Sequence, residues 1–306
     1  MRTSRRDVFL WDGQRLTQGQ IDRLTDHSER CDELVVAIVD AESGFTERAP
    51  LSGGQRIERL RAALHGQLAC PAYFVPLKTS QLTSAQLVQR LRFDLPSFAQ
   101  LVTWDAEIER AATALLACRC TLAPADDGPD LLASPSPLRR GLFVTRAQPF
   151  HRGHTACVQA ICDEMDEVIV LVALAESSHS LRNPATAGER LEMIHPVLER
   201  ILPGRYHLAA APYEAHTACN MGELQLLLPS FECVYTNSPS TRALAISAGL
   251  DCRTVRPGLD VSASQVRKAL IEDRPIGELV PAEVEQAIER LGLRQRLQLL
   301  ASKEVR

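Results

Sequence analysis

The chain matches itself when shifted by 134 residues, and this repeat limits its folds more than any other feature. Over Val8–Leu64 against Leu142–Leu198, 15 of 57 positions are identical without a gap. The matches include Gln14 with Gln148, Gly19 with Gly153, Asp32-Glu33 with Asp166-Glu167 and Ala41-Glu42-Ser43 with Ala175-Glu176-Ser177. Arg48, Pro50, Gly54, Arg56 and Glu58 pair with Arg182, Pro184, Gly188, Arg190 and Glu192. A later echo, Phe98–Thr103 against Phe231–Thr236, needs a shift of one residue. Two unrelated segments could share an apolar pattern, but not these glycines, prolines and arginines. The chain therefore reads as two tandem copies of one domain, 1–134 and 135–306. The stretch Thr121–Arg140, with Pro124, Pro129, Pro135 and Pro137, reads as the linker.

Each copy alternates strand and helix. Leu34–Val39 and Glu167–Leu174 are continuous apolar runs, the pattern of strands buried on both faces. Gly141–Val144, Tyr206–Ala210 and Cys233–Thr236 read as further strands, and His154–Met165 and Ser240–Ala248 as helices. Thr186-Ala-Gly-Glu189 and Ser52-Gly-Gly-Gln55 are capping boxes that open a helix in each copy. The fold class is α/β: two tandem Rossmann-like domains, each a doubly wound parallel sheet.

Bulk composition excludes several classes. With net charge −4, nothing draws the chain to nucleic acid or an anionic membrane. No apolar run approaches the roughly 20 residues that span a bilayer. The basic Met1–Asp7 is followed by only Val8–Trp11 of apolar chain, too short for a secretory signal. Nine cysteines without a Cys-x-x-Cys pair argue for reduced thiols rather than zinc, and a cytoplasmic protein is expected.

In doubly wound sheets ligands bind beyond the C-terminal strand ends. His151-Arg-Gly-His154 lies there, between the second copy's first strand and its helix. A helix N-terminus offers free N–H groups and a positive dipole end, and Gly153 lets the backbone approach phosphate oxygens. Both histidines can donate hydrogen bonds to a phosphate chain, more strongly when protonated. Two surface histidines in a loop would be the bland alternative. Downstream, Ser262-Ala-Ser264-Gln-Val-Arg267 begins another helix and makes a second anion site, although simple N-capping would explain its serines. Arg146 and Arg182 add positive charge.

Three segments, in order, resemble the nucleotidylyltransferase superfamily, and within it the archaeal-type nicotinamide mononucleotide (NMN) adenylyltransferases. They are Thr145-Arg-Ala-Gln-Pro-Phe-His-Arg-Gly-His154, Ser178-His-Ser-Leu-Arg-Asn-Pro-Ala-Thr-Ala-Gly-Glu-Arg190 and Ser262–Arg267. The resemblance covers Gly141 to about Leu300 and implies adenylyl transfer from ATP to NMN, giving NAD and pyrophosphate. It implies His151, His154 and Arg267 as catalytic groups, and Arg146, Gln148, Gly153, Arg182, Ser262 and Ser264 as nucleotide-binding groups. Magnesium would accompany the triphosphate, with no covalent enzyme intermediate. Family members often assemble into homo-oligomers, but no interface is readable here.

The departures concentrate in the acceptor pocket. Ala147 and Ala185 replace residues that are phenylalanine, or phenylalanine or methionine, in the family, and Asn220 falls near the expected ring-stacking tryptophan. Stacking aromatics supply much of a flat ring's binding energy. This leaves open ATP or CTP acting on another phosphate or phosphonate, and a non-catalytic nucleotide-binding regulator. In the first copy Thr17 and Gln20 stand opposite His151 and His154, and Asp12 opposite Arg146. That copy is expected to be non-catalytic, and Ser134-Pro-Ser-Pro-Leu-Arg139 reads as linker despite its Ser-x-Ser-x-x-Arg spacing.

Overall fold

The computed structural model describes residues 5–124, 126, 128–131, 137–212, 220–255 and 258–304. The first sheet runs β1 (Arg6–Trp11), α1 (Gln18–Ser28), β2 (Glu33–Ile38), α2 (Gly53–Leu64), β3 (Ala72–Pro76), α3 (Ser84–Asp94), β4 (Gln100–Thr103), α4 (Ala106–Leu115) and β5 (Arg119–Leu122). The second runs β6 (Arg140–Thr145), α5 (Arg152–Glu164), β7 (Glu167–Val172), α6 (Ala187–Ile201), β8 (Tyr206–Ala210), α7 (Asn220–Leu227), β9 (Cys233–Tyr235), α8 (Pro239–Ser247) and β10 (Asp251–Arg253). It is followed by α9 (Ala263–Ile271), α10 (Ala282–Arg290) and α11 (Leu293–Glu304).

Both sheets are parallel, with orders β3-β2-β1-β4-β5 and β10-β9-β6-β7-β8. Each order places the first strand in the centre and reverses direction there, between β1 and β4 and between β6 and β9. The inner strands are fully buried, as their β-branched runs require: Leu34–Ile38 and Val168–Val172 are all 0% exposed. The capping boxes at Ser52 and Thr186 form as read. Two features differ from the sequence reading. The stretch read as linker contains the end of β5, and short, exposed β5 and β10 lacked an apolar pattern to reveal them. Helix α5 begins at Arg152, so His151 is its N-cap and His154 lies in its first turn rather than at its start. Ser134 and Ser136 lie outside the described residues.

The halves also agree in backbone detail. Left-handed residues pair at the repeat offset: Gly13 (φ 68°) with Ala147 (47°), Asp40 (47°) with Leu174 (52°), and Phe45 (57°) with His179 (55°).

Contacts divide the chain into two compact units. One holds Met1–Arg92, Ser97–Leu138 and Met221–Ser230, and the other Phe93–Pro96, Arg139–Asn220 and Phe231–Arg306. Among the described residues no helix is long and apolar enough to cross a membrane.

Candidate functional site

The second unit has a cavity of about 750 Å³ beyond the C-terminal ends of β6 and β9, where its strand order reverses. Thr145–Gln148 leave β6 and Thr236–Ser238 leave β9, and both runs line it. Of the expected residues, Arg146, Ala147, Gln148, His151, Gly153, His154, Arg182 and Arg267 are brought together in its wall.

Among the described residues the lining contains three arginines and no carboxylate. Burial pulls the Arg146 guanidinium below its ordinary pKa, and nearby Arg182 adds to this. Arg267 is lowered by burial, then by Arg146 and Arg182. Cations that disfavour one another in one wall are poised for an anion of high charge.

The histidines stand at the start of α5. Burial pushes His151 down to about 4, and His154 falls well below its ordinary value through burial and then His151. Both are therefore neutral at pH 7 in this pocket, so the expectation of stronger donation by protonated rings applies only once an anion is bound. The His151 N–H donates to His154 Nδ1 (3.2 Å), which leaves the His154 proton on Nε2, 2.9 Å from Thr145 Oγ1. Thr145 Oγ1 also accepts the Ala147 N–H (3.2 Å), so the threonine's own proton is free to donate. The His154 ring stacks on Phe150 with centroids 5.1 Å apart. His151 Nδ1 and Asn183 Oδ1 are buried without hydrogen-bond partners, and both residues line the cavity. A Cβ on Gly153 would press on the His151 ring at 3.0 Å and the Val261 carbonyl at 3.3 Å.

Gln148 fixes the floor. Its side chain donates to the Ala185 carbonyl (2.9 Å) and accepts the Ala185 N–H (3.0 Å). Its own carbonyl accepts Arg267 Nη1 at 2.8 Å, and Arg267 Nη2 donates to Ser264 Oγ at 3.1 Å. Ala185, 1% exposed, thus lies behind the wall rather than in it. Ser262 is the N-cap of α9, with its hydroxyl accepting the Gln265 N–H (3.3 Å). Asn220 begins α7.

Two residues with no assigned role in the sequence reading prove central. Thr145 is one. Arg190, 0% exposed, is the other: it donates to the carbonyls of Arg146 (3.1 Å), Ala173 (2.8 Å), Leu174 (2.9 Å) and Thr186 (3.2 Å). The repeat offered a signal for it, because Arg56 matches Arg190 while Thr17, Gln20 and Asp12 stand where the second copy has His151, His154 and Arg146.

In the first unit the same frame surrounds different side chains. Gln14 makes the corresponding pair of bonds to Leu51, at 3.2 Å each, and Arg56 grips Asp12, Val39 (2.9 Å) and Asp40 (2.6 Å) by their carbonyls. At the start of α1, however, Thr17 Oγ1 donates to Asp126 Oδ2 at 2.6 Å, and a Cβ on Gly19 would collide with that carboxylate. The Leu16 N–H goes to Asp130 Oδ1 at 2.7 Å. Thr17 and then the Gly128 N–H hold the Asp126 carboxyl below its usual range.

Residues 142–205 match the Cytidylyltransferase-like family. Nicotinamide-nucleotide adenylyltransferase of Pyrococcus furiosus is 33% identical over 171 residues, covering 54% of this chain and 90% of that protein. The same enzyme of Methanothrix thermoacetophila is 33% identical over 172 residues, covering 55% and 99%. The chain belongs to the nicotinamide-nucleotide adenylyltransferase family. Among solved structures, a bifunctional NMN adenylyltransferase/ADP ribose pyrophosphatase from Francisella tularensis aligns at TM-score 0.47 and 14% identity, over 55% of this chain and about half, 54%, of that one. These relatives are matched over nearly their whole length and over little more than half of this chain.

Proposed function

We propose that the second unit transfers the adenylyl group of ATP to NMN, forming NAD and releasing pyrophosphate. The observation that carries this reading is the cavity wall: Arg146, Arg182 and Arg267 line one cavity with His151, Gly153 and His154 at the start of α5, and none of its described lining residues is a carboxylate. The arginines hold the triphosphate and the departing pyrophosphate, while an acceptor phosphate oxygen attacks the α-phosphorus in line. Neutral His151 and the Thr145 hydroxyl donate toward oxygens that gain charge, and His154 fixes Thr145. Catalysis is then positioning and charge stabilisation.

A divalent cation such as magnesium would accompany the nucleotide and supply further positive charge. Among the described residues no three His, Cys, Asp or Glu side chains group as metal ligands, so triphosphate oxygens would hold it.

The first unit, by this reading, does not catalyse, because Asp126 and Asp130 face the start of α1 where the second unit offers arginines. The chain is read as a tandem duplication with one active site, working in the cytoplasm. Ala147 in the wall favours a second reading, transfer from ATP or CTP to another phosphate or phosphonate acceptor, since it stands where the family has phenylalanine or methionine. Pyrophosphate release across a panel of triphosphates and acceptors decides. Turnover with ATP and NMN above all other pairs is expected. Folded protein that ignores NMN but uses another acceptor would establish the second reading.

A further inference from the structure

The tetrapeptide Leu-Pro-Ser-Phe occurs twice, at Leu95–Phe98 and Leu228–Phe231, near the repeat offset. Both copies stand against a matched glycine in the first turn of a helix. In the second unit, which includes Phe93–Pro96, a Cβ built on Gly188 of α6 would overlap the Leu95 carbonyl, with Pro96 N next nearest. In the first unit, which includes Met221–Ser230, a Cβ on Gly54 of α2 would overlap the Leu228 carbonyl, with Pro229 N next nearest. Backbone thus meets backbone, and neither side can swing away as a flexible side chain would.

The surroundings of the two glycines differ in what they support. The turn before Gly188 holds Ala185, bonded twice to the Gln148 side chain, and Gln148 in turn receives Arg267. Two residues after Gly188 comes Arg190, which fixes the Arg146 carbonyl. From the other end, Arg296 of α11 holds Pro184 (2.9 Å) and Glu189 (2.7 Å). Leu51, before Gly54, is bonded to Gln14 in the same way, but Gln14 serves a helix start that carries Asp126.

We infer that Phe93–Pro96 is a positioning element of the adenylyl-transfer site. It seats the first turn of α6, and through that turn it sets Gln148, Arg267 and Arg146. Residues 93–96 belong to the catalytic unit although they precede its strands in the chain. This rests on the reading that these arginines handle the nucleotide.

The test compares Gly188→Ala with Gly54→Ala in the full-length protein. Both add the same methyl against the same kind of carbonyl, so both should lower the melting temperature by similar amounts, although alanine ordinarily favours a helix over glycine. Gly188→Ala should also lower kcat about tenfold or more, because small misplacements at a distance are costly to chemistry. Gly54→Ala should stay within about twofold of the wild-type kcat. Equal losses of kcat in both variants, or a wild-type kcat in Gly188→Ala, would overturn the inference. Should Gly188→Ala not fold, Pro96→Gly against Pro229→Gly poses the same contrast without added bulk. If wild-type protein does not turn over NMN, the reading of function fails, and the contrast is read in ATP affinity by the same criteria.

Discussion

The two sheet units share strand order, helix caps, left-handed residues and buried arginine clamps, yet they present different side chains at the same place. The start of α5 faces three arginines, whereas the start of α1 holds Asp126 on Thr17. The frame is therefore separable from the chemistry. Gln148 and Gln14 tie the same loops, and Arg190 and Arg56 bind the same set of carbonyls, whether or not an anion is to be held. A few side chains decide the rest: His151, His154, Arg146 and Arg267 on one side, and Thr17, Gln20, Asp12 and the acidic segment around Asp126 on the other. Gly19 survives in the first unit because a carboxylate packs where its Cβ would be.

This contrast can be broken most forcefully by substitution at the helix starts. His154→Ala should lower kcat by about 10²–10³ without unfolding the protein, whereas Thr17→Ala with Gln20→Ala should leave turnover unchanged. Steady-state NAD formation and circular dichroism check both. Loss of turnover in a folded Thr17/Gln20 variant would mean that the first unit takes part in the reaction.

The clamps come next. Arg190→Met and Arg56→Met each leave buried carbonyls without their donor, and each should cost on the order of 3 kcal/mol in chemical denaturation. Only Arg190→Met should also depress kcat/KM, because only its clamp carries Arg146.

Acid sharpens the contrast further. Burial holds His151 at about 4, against an ordinary value of 6.5. Between these values the unfolded chain binds more protons than the folded one, so stability should climb with pH from about 4 to 6.5 and level off above. The contribution is at most about 1.4 kcal/mol per pH unit. His151→Gln should remove its share of that slope and leave the share of His154, which is also held well below its ordinary value, as measured by denaturant titration at a series of pH values. Thr17, at the matching position, contributes nothing to it.

The smallest effect concerns the backbone. Ala147 and Gly13 hold the same left-handed conformation, at φ 47° and 68°. Ala147→Gly should relieve about 1 kcal/mol, and Gly13→Ala should cost about that or more, since its Cβ would also press on Arg56 and Trp11 at 3.2 Å. Thermal melts check the opposite signs.

Much of this was legible in the sequence because it is local. Thr186 and Glu189, or Ser52 and Gln55, are capping boxes by spacing alone, and Val168–Val172 reads as a buried strand from its side chains. The strand-to-helix turn at the cavity is legible from Gly153 and its flanking histidines. What stayed hidden depends on residues distant in sequence. Nothing near Thr145 announces that His154 will turn to it, and nothing near Asp126 announces Thr17. Edge strands β5 and β10 bury too little to show a pattern. The neutrality of His151 comes from burial by the whole fold, and the seating of Gly188 on Leu95 joins residues 93 positions apart. The matched glycines marked the place without naming the partner.

The central claim is that this chain has one nucleotide site and that it lies in the second unit. Calorimetric titration of the full-length protein with a non-hydrolysable ATP analogue and magnesium tests it most directly. A stoichiometry of one per chain, lost in Arg267→Ala and kept in Asp126→Asn, is the predicted result. Two sites per chain, or one that survives Arg267→Ala, would contradict it.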